Sequence, residues 1–393
     1  MFPGPLSFAV LDRCRTHYSG YQRHDVAREG GPSVGGLADR RAVLVTAVLL
    51  FSGFIMLYSA SSPFSLRHYG SDTSMLIRQL MAAGVGMLAL IVLERWDYHH
   101  LALLNDVFLI GGILLTLLTI LPIGLSSGRW LLLGPFTFQP TEAVKFSLIV
   151  FMAHSLSRKG DTIKKFSEGM LPYLILLGLL AAVVIVQPDL GMIIVFCMVT
   201  MAMLFFAGAR IIHLLSVGAA GIPLAFLAIR LAPYRFARLL SFLNPQAYSQ
   251  STGYQTIQSL TAIGSGGILG RGLGASHAKL FYLPQSHNDF IMSVLAEELG
   301  FIGVLAIVIL IGLLVWRAFR IAETAPDRLG QLLAMGIGFA LGFQTLVNLG
   351  VVVGLLPVTG LTFPFFSNGG SSLVITLALI GVLLNVSRQG VQA

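Results

Sequence analysis

Glu142 in "FQPTEAVKF" lies three residues before Lys145, on one face of a helix; Asp189 sits in "VQPDLG"; Asp289 follows His287 in "SHNDF". A carboxylate of this kind serves as general base toward a hydroxyl, and several together offer hard oxygen ligands to a divalent cation such as Mg or Mn. Two-carboxylate hydrolysis is disfavoured within "FYLPQSHNDFIMSVLAEELGFIG" itself. Glu297 falls eight residues beyond Asp289, about 12 Å along a helix, whereas retaining glycosidases hold their pair ~5–5.5 Å apart. Glu297 and Glu298 read instead as partners in buried hydrogen bonds between helices.

The chain that must position these groups has 393 residues, 55% hydrophobic and 11% charged, with mean hydropathy +0.83. Soluble domains carry about 25% charged residues, so this chain belongs in a bilayer. Apolar runs near the ~20 residues that cross a hydrocarbon core recur ten times, at about 41–60, 75–93, 101–121, 142–156, 170–186, 190–207, 211–232, 289–316, 329–352 and 371–387. Lipid offers a backbone amide no partner, so each run is expected to be helical: an all-α integral membrane protein of ten transmembrane helices.

The formal charge of +8 raises nucleic acid as a partner, but its distribution follows topology. Arg40, Arg41, Arg95, Arg158, Lys159, Lys164, Lys165, Arg210, Arg317, Arg320, Arg328 and Arg388 fall on one side, with the basic residues of the N-terminal segment, which places both termini in the cytoplasm. Residues 1–40, polar, basic and Gly-rich, read as a mobile cytoplasmic tail, 41–387 as the membrane domain and 388–393 as a short cytoplasmic C-terminus. Only Cys14 and Cys197 occur, so no disulfide framework is expected.

Two connections are long. Residues 122–141, with Trp130, Phe136 and Phe138, suit a segment lying in the outer headgroup region; residues 233–288 form one large outer loop between the seventh and eighth helices. In that loop "GSGGILGRGLG" has two readings, a loop turning tightly on glycine or a nest of amides that holds phosphate beside Arg271 and Lys279. Alternation of the spans carries Glu142, Asp189 and Asp289 to the same outer side. They fit an outward-open cavity with Glu142 and Lys145 inside and Asp289 at its rim. Their plainer readings are a local ion pair for Glu142 and Lys145, and helix N-caps for the two aspartates.

"GRWLLLGPFTFQPTEAVKFSLI", "QPDLGM", "GYQTIQSLTAIGSGGILGRGLGASHAKLFYLPQSHNDFIMSVLAEELGFIG" and "LLPVTGLTFPFFSNGGSSL" together resemble the SEDS family (shape, elongation, division and sporulation) of bacterial cell-wall proteins over about residues 41–387, closest to its FtsW-like division members. Asn288 and Asn368 depart from the family's commoner Thr and Tyr. The resemblance implies a ten-helix inner-membrane peptidoglycan glycosyltransferase that polymerises lipid II, with Asp289 as catalytic aspartate and Glu142, Lys145 and Asp189 as its sensitive partners. Such an enzyme joins lipid-linked disaccharides by an inverting transfer, for which one general base suffices because pyrophosphate leaves readily once its charge is met. Lys145, Arg271, Lys279 or a divalent ion are candidates to meet that charge. His287 is a candidate to orient Asp289, and Gln255 and Gln258 to contact sugar. The resemblance also implies a class B penicillin-binding protein as transpeptidase partner, other divisome proteins, and a septal location. The alternatives are a lipid II flippase or transporter using the same charged cavity, and a RodA-like elongation glycosyltransferase.

Overall fold

The structure, a computed structural model, describes residues 38–121, 126–133, 136–187, 189–230, 232–251 and 253–390. The expected tail up to residue 37, with Cys14, and residues 391–393 lie outside the described residues. The first helix, α1 (Arg40–Tyr69), is capped by the Asp39 carboxylate, which accepts from the Arg41 and Ala42 amides at 2.9 and 3.0 Å, and ends at Gly70 in the left-handed conformation. There follow α2 (Ser74–Arg95), α3 (Tyr98–Leu103), α4 (Asn105–Leu118), α5 (Pro140–Ser157), α6 (Leu171–Ile185), α7 (Leu190–Ala207) and α8 (Ile211–Arg230). After them come α9 (Pro233–Leu243), α10 (Tyr254–Gly266), α11 (Ile291–Thr324), α12 (Arg328–Val352) and α13 (Gly370–Gln389).

Among the described residues, eight helical segments are long and apolar enough to cross a membrane. The other two expected spans take different forms. The run at 101–121 breaks at Leu104 into α3 and α4, because Asn105 turns its amide back onto the Ala102 carbonyl at 2.5 Å and competes with the helical ladder. The run at 142–156 is α5, whose first turns are charged but which is buried along most of its length.

The core is built where helices bury both faces. On α13, 78% of the most apolar stretch is covered by protein, against 0% on α8, which has no buried residue. Small residues allow the closest approaches: Gly381 of α13 lies so near the Leu90 backbone of α2 that a Cβ would come within 2.6 Å of its carbonyl oxygen. Leu44, Phe51 and Leu224 point outward, as expected of helices whose outer solvent is hydrocarbon.

Two departures from an all-helical plan bear on the site. Part of the segment expected to lie in the headgroup region is a three-stranded antiparallel sheet, β1 (Ser126–Ser127), β2 (Trp130–Leu133) and β3 (Phe136–Phe138), with Ser127 opposite Trp130 and Leu131 opposite Phe138. The other is a break in α11 at Gly300 (φ 68°, ψ −169°), a conformation open essentially only to glycine.

Candidate active site

The N-termini of α5, α7 and α11 meet at one end of the bundle, and each delivers one expected carboxylate. Asp189 is buried and caps α7 through the Met192 amide (3.3 Å); it also accepts from Gln139 Nε2 at 2.9 Å, at the head of α5. Glu142 and Lys145, each 2% exposed, form an ion pair of 2.6 Å within α5. Lys145 Nζ also donates to Gln344 Oε1 at 2.9 Å, and Gln344 in turn donates to the Thr362 carbonyl at 2.9 Å. The pair is therefore wedged between α5, α12 and the segment before α13 rather than standing open, while Asp289 is half-buried. Plain and sharp readings coincide for Asp189, which is both cap and ion-pair partner.

Arg129, a loop arginine with no motif to mark it, links the acids. It follows Gly128 in the two-residue turn between β1 and β2, where Gly128 takes the positive φ (62°) that such hairpins need. Its guanidinium reaches Asp189 Oδ2 at 3.2 Å. The position a Cβ would take on Gly360 lies 3.5 Å from Arg129 Nη1 and 3.8 Å from Asp289 Oδ2, so the absent side chain leaves room for guanidinium and carboxylate to approach one another. Arg238 of α9 supplies a second cation whose field also reaches Asp289; it donates to the Val358 carbonyl at 3.1 Å and stacks over Tyr234. Burial pushes the Asp289 carboxyl up to about 6, opposed by Arg129 and Arg238 and reinforced by Asp189. Asp189 is likewise raised by burial, against Arg129.

The Asp289 backbone is clamped from two directions. Asn348 of α12 donates to the Asp289 carbonyl at 2.9 Å and to Leu361 at 2.7 Å. Ser367 donates to the Asn288 carbonyl at 2.7 Å, and the Asn368 amide bonds the His287 carbonyl at 2.9 Å. Neither Asn348 nor Ser367 carries a charge that would mark it in the sequence; "LLPVTGLTFPFFSNGGSSL" contributes there only to the family resemblance.

Three expectations are corrected. The glycine segment pairs with protein rather than forming a phosphate nest: the three amides beside Arg271 are spent on backbone, Gly270 to Gly266, Arg271 to Glu297 (3.0 Å) and Gly272 to Glu298 (2.9 Å), while Phe301 and Ile302 donate back to residues 267 and 268. Those bonds pair the segment with the broken turn of α11, and glycine is needed because a Cβ on Gly270 would lie 2.2 Å from the Glu298 oxygen. Arg271 and Lys279 belong to this second cluster and are not held for pyrophosphate. Arg271 pairs with Glu297 at 3.4 Å, and buried Lys279 pairs with Glu298 at 2.8 Å and bonds Ser59 of α1 at 3.0 Å. The reading of Glu297 and Glu298 as inter-helix hydrogen-bonding groups holds. His287 does not orient Asp289: its buried ring packs on Phe64 (4.6 Å), Nδ1 has no partner among the described residues, and burial pushes the imidazole down to about 4.

Gln255 lines an outer cavity of about 370 Å³ together with Arg238; Gln258, one turn later on α10, is half-buried and outside that lining. Asp289, Asp189 and Glu142 do not form a metal-ligand set among the described residues, and a guanidinium rather than open space lies against Asp189.

Residues 40–392 match the profile of the FtsW, RodA and SpoVE family, described as cell cycle protein. A probable peptidoglycan glycosyltransferase FtsW of Geobacter sp. (strain M18) is 40% identical over 355 residues, 89% of this chain and 97% of that protein. Stage V sporulation protein E of Bacillus subtilis (strain 168) is 41% identical over the same shares. A solved chain from a study of the structural coordination of polymerization and crosslinking by a peptidoglycan synthase complex superposes with TM-score 0.73 at 31% identity, covering 91% of this chain and 99% of that one. The rod shape determining protein RodA of Thermus thermophilus superposes with TM-score 0.66 at 31% identity, covering 91% and 98%. Helical membrane architecture, motifs and relatives agree, and the chain belongs to the FtsW/RodA/SpoVE family of cell cycle proteins.

Proposed function

We propose that this member of a peptidoglycan glycosyltransferase family polymerises lipid II at the outer face of the cytoplasmic membrane, with Asp289 as general base. The Asp289 carboxylate takes the proton from the 4-hydroxyl of the acceptor N-acetylglucosamine. That oxygen forms the new bond to the donor's anomeric carbon, with inversion, as the bond from that carbon to pyrophosphate breaks and undecaprenyl pyrophosphate departs. Raising the carboxyl to about 6 makes it a stronger base than a free aspartate while leaving it ionised near neutral pH. Arg129 and Arg238 replace Lys145, Arg271 and Lys279 as the cations facing the developing pyrophosphate charge, and the positive ends of α5, α7 and α11 add to them. Lys145 and Glu142 act underneath, holding the head of α5 against α12.

The observation that carries this reading is the convergence of one half-buried aspartate with two guanidiniums, from the β1–β2 turn, α9 and the turn before α11. The test is polymerisation of lipid II supplied to the detergent-solubilised full-length protein with its class B penicillin-binding partner. Asp289→Asn is expected to abolish polymer while keeping the wild-type melting temperature. Wild-type rates in the variant would end the proposal, and polymer formation in detergent, where nothing needs translocating, separates a polymerase from a flippase. The likeness to a chain of a synthase complex that polymerises and crosslinks supports a transpeptidase partner, and the FtsW relatives support a role in division at the septum.

A further inference from the structure

The cavity beside Asp289 has a chemistry of its own. It is built by α9, the start of α10 and the turn that carries Asp289: Tyr234 and Arg238 from the first, Tyr254 and Gln255 from the second, Pro284 from the third. At about 370 Å³ it lies within the ~300–1,000 Å³ of small-molecule sites. Its place relative to the base is fixed twice over. Arg238, on its wall, is close enough to act on the Asp289 carboxyl; Val358, also on its wall, precedes by two residues Gly360, whose Cβ position lies 3.8 Å from Asp289 Oδ2.

Two tyrosines, a primary amide, a guanidinium and the Ser251 hydroxyl line the cavity, aromatic surface beside donors and acceptors. That is the combination a pyranose needs, with C–H groups on one face and hydroxyl and acetamido groups at its edge. An acyl tail would find the donors unpaired and costly to cover. The presentation of Tyr254 is built in: the Gly253 amide bonds the Tyr248 carbonyl at 3.0 Å, and a Cβ on Gly253 would lie 2.5 Å from the Pro245 oxygen, so the turn closes only around glycine. Arg238 is held in the wall by the Val358 carbonyl and by its stack on Tyr234, 4.5 Å from the ring centroid.

We propose that this cavity is a glycan subsite that grips an N-acetylated hexosamine of the growing strand next to the reaction centre, with Tyr254 and Tyr234 as its stacking residues and Gln255 as its acetamido partner. The inference rests on the polymerase reading above and deepens it. A strand that stays gripped between additions is extended again before it leaves, so the subsite governs strand length.

The experiment compares strand-length distributions on gels, at equal lipid II consumption, for the full-length protein with its partner. Tyr254→Ala and Tyr234→Ala are expected to shorten the mean strand about 3- to 10-fold, the effect of losing one aromatic contact. Tyr254→Phe, which keeps the ring, is expected to restore wild-type length and so to separate stacking from folding. In parallel, lipid-free oligomers of N-acetylglucosamine and N-acetylmuramic acid are titrated into the Asp289→Asn protein, with Tyr254→Ala added expected to weaken binding by the same factor. Unchanged strand length together with unchanged oligomer binding in the alanine variants overturns the subsite while leaving Asp289 as base intact. Polymer made by Asp289→Asn alone would instead overturn the reading beneath it.

Discussion

Arg129 neutralises Asp189 through an ion pair and holds the Asp289 proton affinity down through space. Two outcomes follow at this scale. A base whose carboxyl titrates near 6 is ionised above that pH and protonated below it, so kcat/KM for lipid II is expected to lose its acid limb near pH 6, falling tenfold per unit below it. Arg129→Ala removes a group that lowers this value, so the limb moves to higher pH, and kcat falls ~10²-fold, the scale of losing one stabilising donor. An unmoved limb would show that Arg129 does not sense Asp289. The three carboxylates and Lys145 were legible in the sequence because charge is rare in apolar spans. Arg129, Arg238 and Asn348 were not, since a loop arginine and a helix asparagine are ordinary until a fold brings them to the same carboxylate.

Among the elements, α11 departs furthest from its sequence signal. "FIMSVLAEELGFIG" reads as one greasy helix, and the span expected at 289–316 is observed as Ile291–Thr324 with its hydrogen-bond ladder broken at Gly300. Hydropathy cannot register such a break, because lipid tolerates either conformation's side chains. What matters is that the unpaired backbone finds partners, here the glycine segment 266–272, and that pairing is non-local. Gly270→Ala, which would set a Cβ 2.2 Å from the Glu298 oxygen, is expected to cost at least about 1–3 kcal/mol, read as a fall in melting temperature in detergent. Lys279→Met leaves buried Glu298 with the Ser59 hydroxyl but without its cation and is expected to cost about 3–5 kcal/mol, with Lys279→Met/Glu298→Gln recovering much of it; additive losses would mean that the 2.8 Å pair carries no coupling.

Across the whole molecule, most expected span boundaries come within a few residues of the helices, because the ~20-residue demand of a bilayer is written in composition. How tightly each helix is held was not written there, since lipid-facing and protein-facing residues are equally apolar. Helix α8 buries nothing, whereas Ile149 of α5 is fully enclosed. Ile149→Ala is therefore expected to cost about 2–5 kcal/mol, while Ile222→Ala on α8 stays within about 0.5 kcal/mol; equal shifts in melting temperature would contradict the packing. The interruption at Gly300 acts on this larger scale too. It leaves Asp289 at the tip of a stub nine residues long, Ile291–Leu299, moored sideways to α12, to the segment before α13 and to the glycine segment. Beyond the break the Phe301 and Ile302 amides bond the carbonyls of residues 267 and 268, so one short stretch of backbone splints stub and shaft together, and the direction in which Asp289 is offered follows from that splint rather than from an unbroken helix.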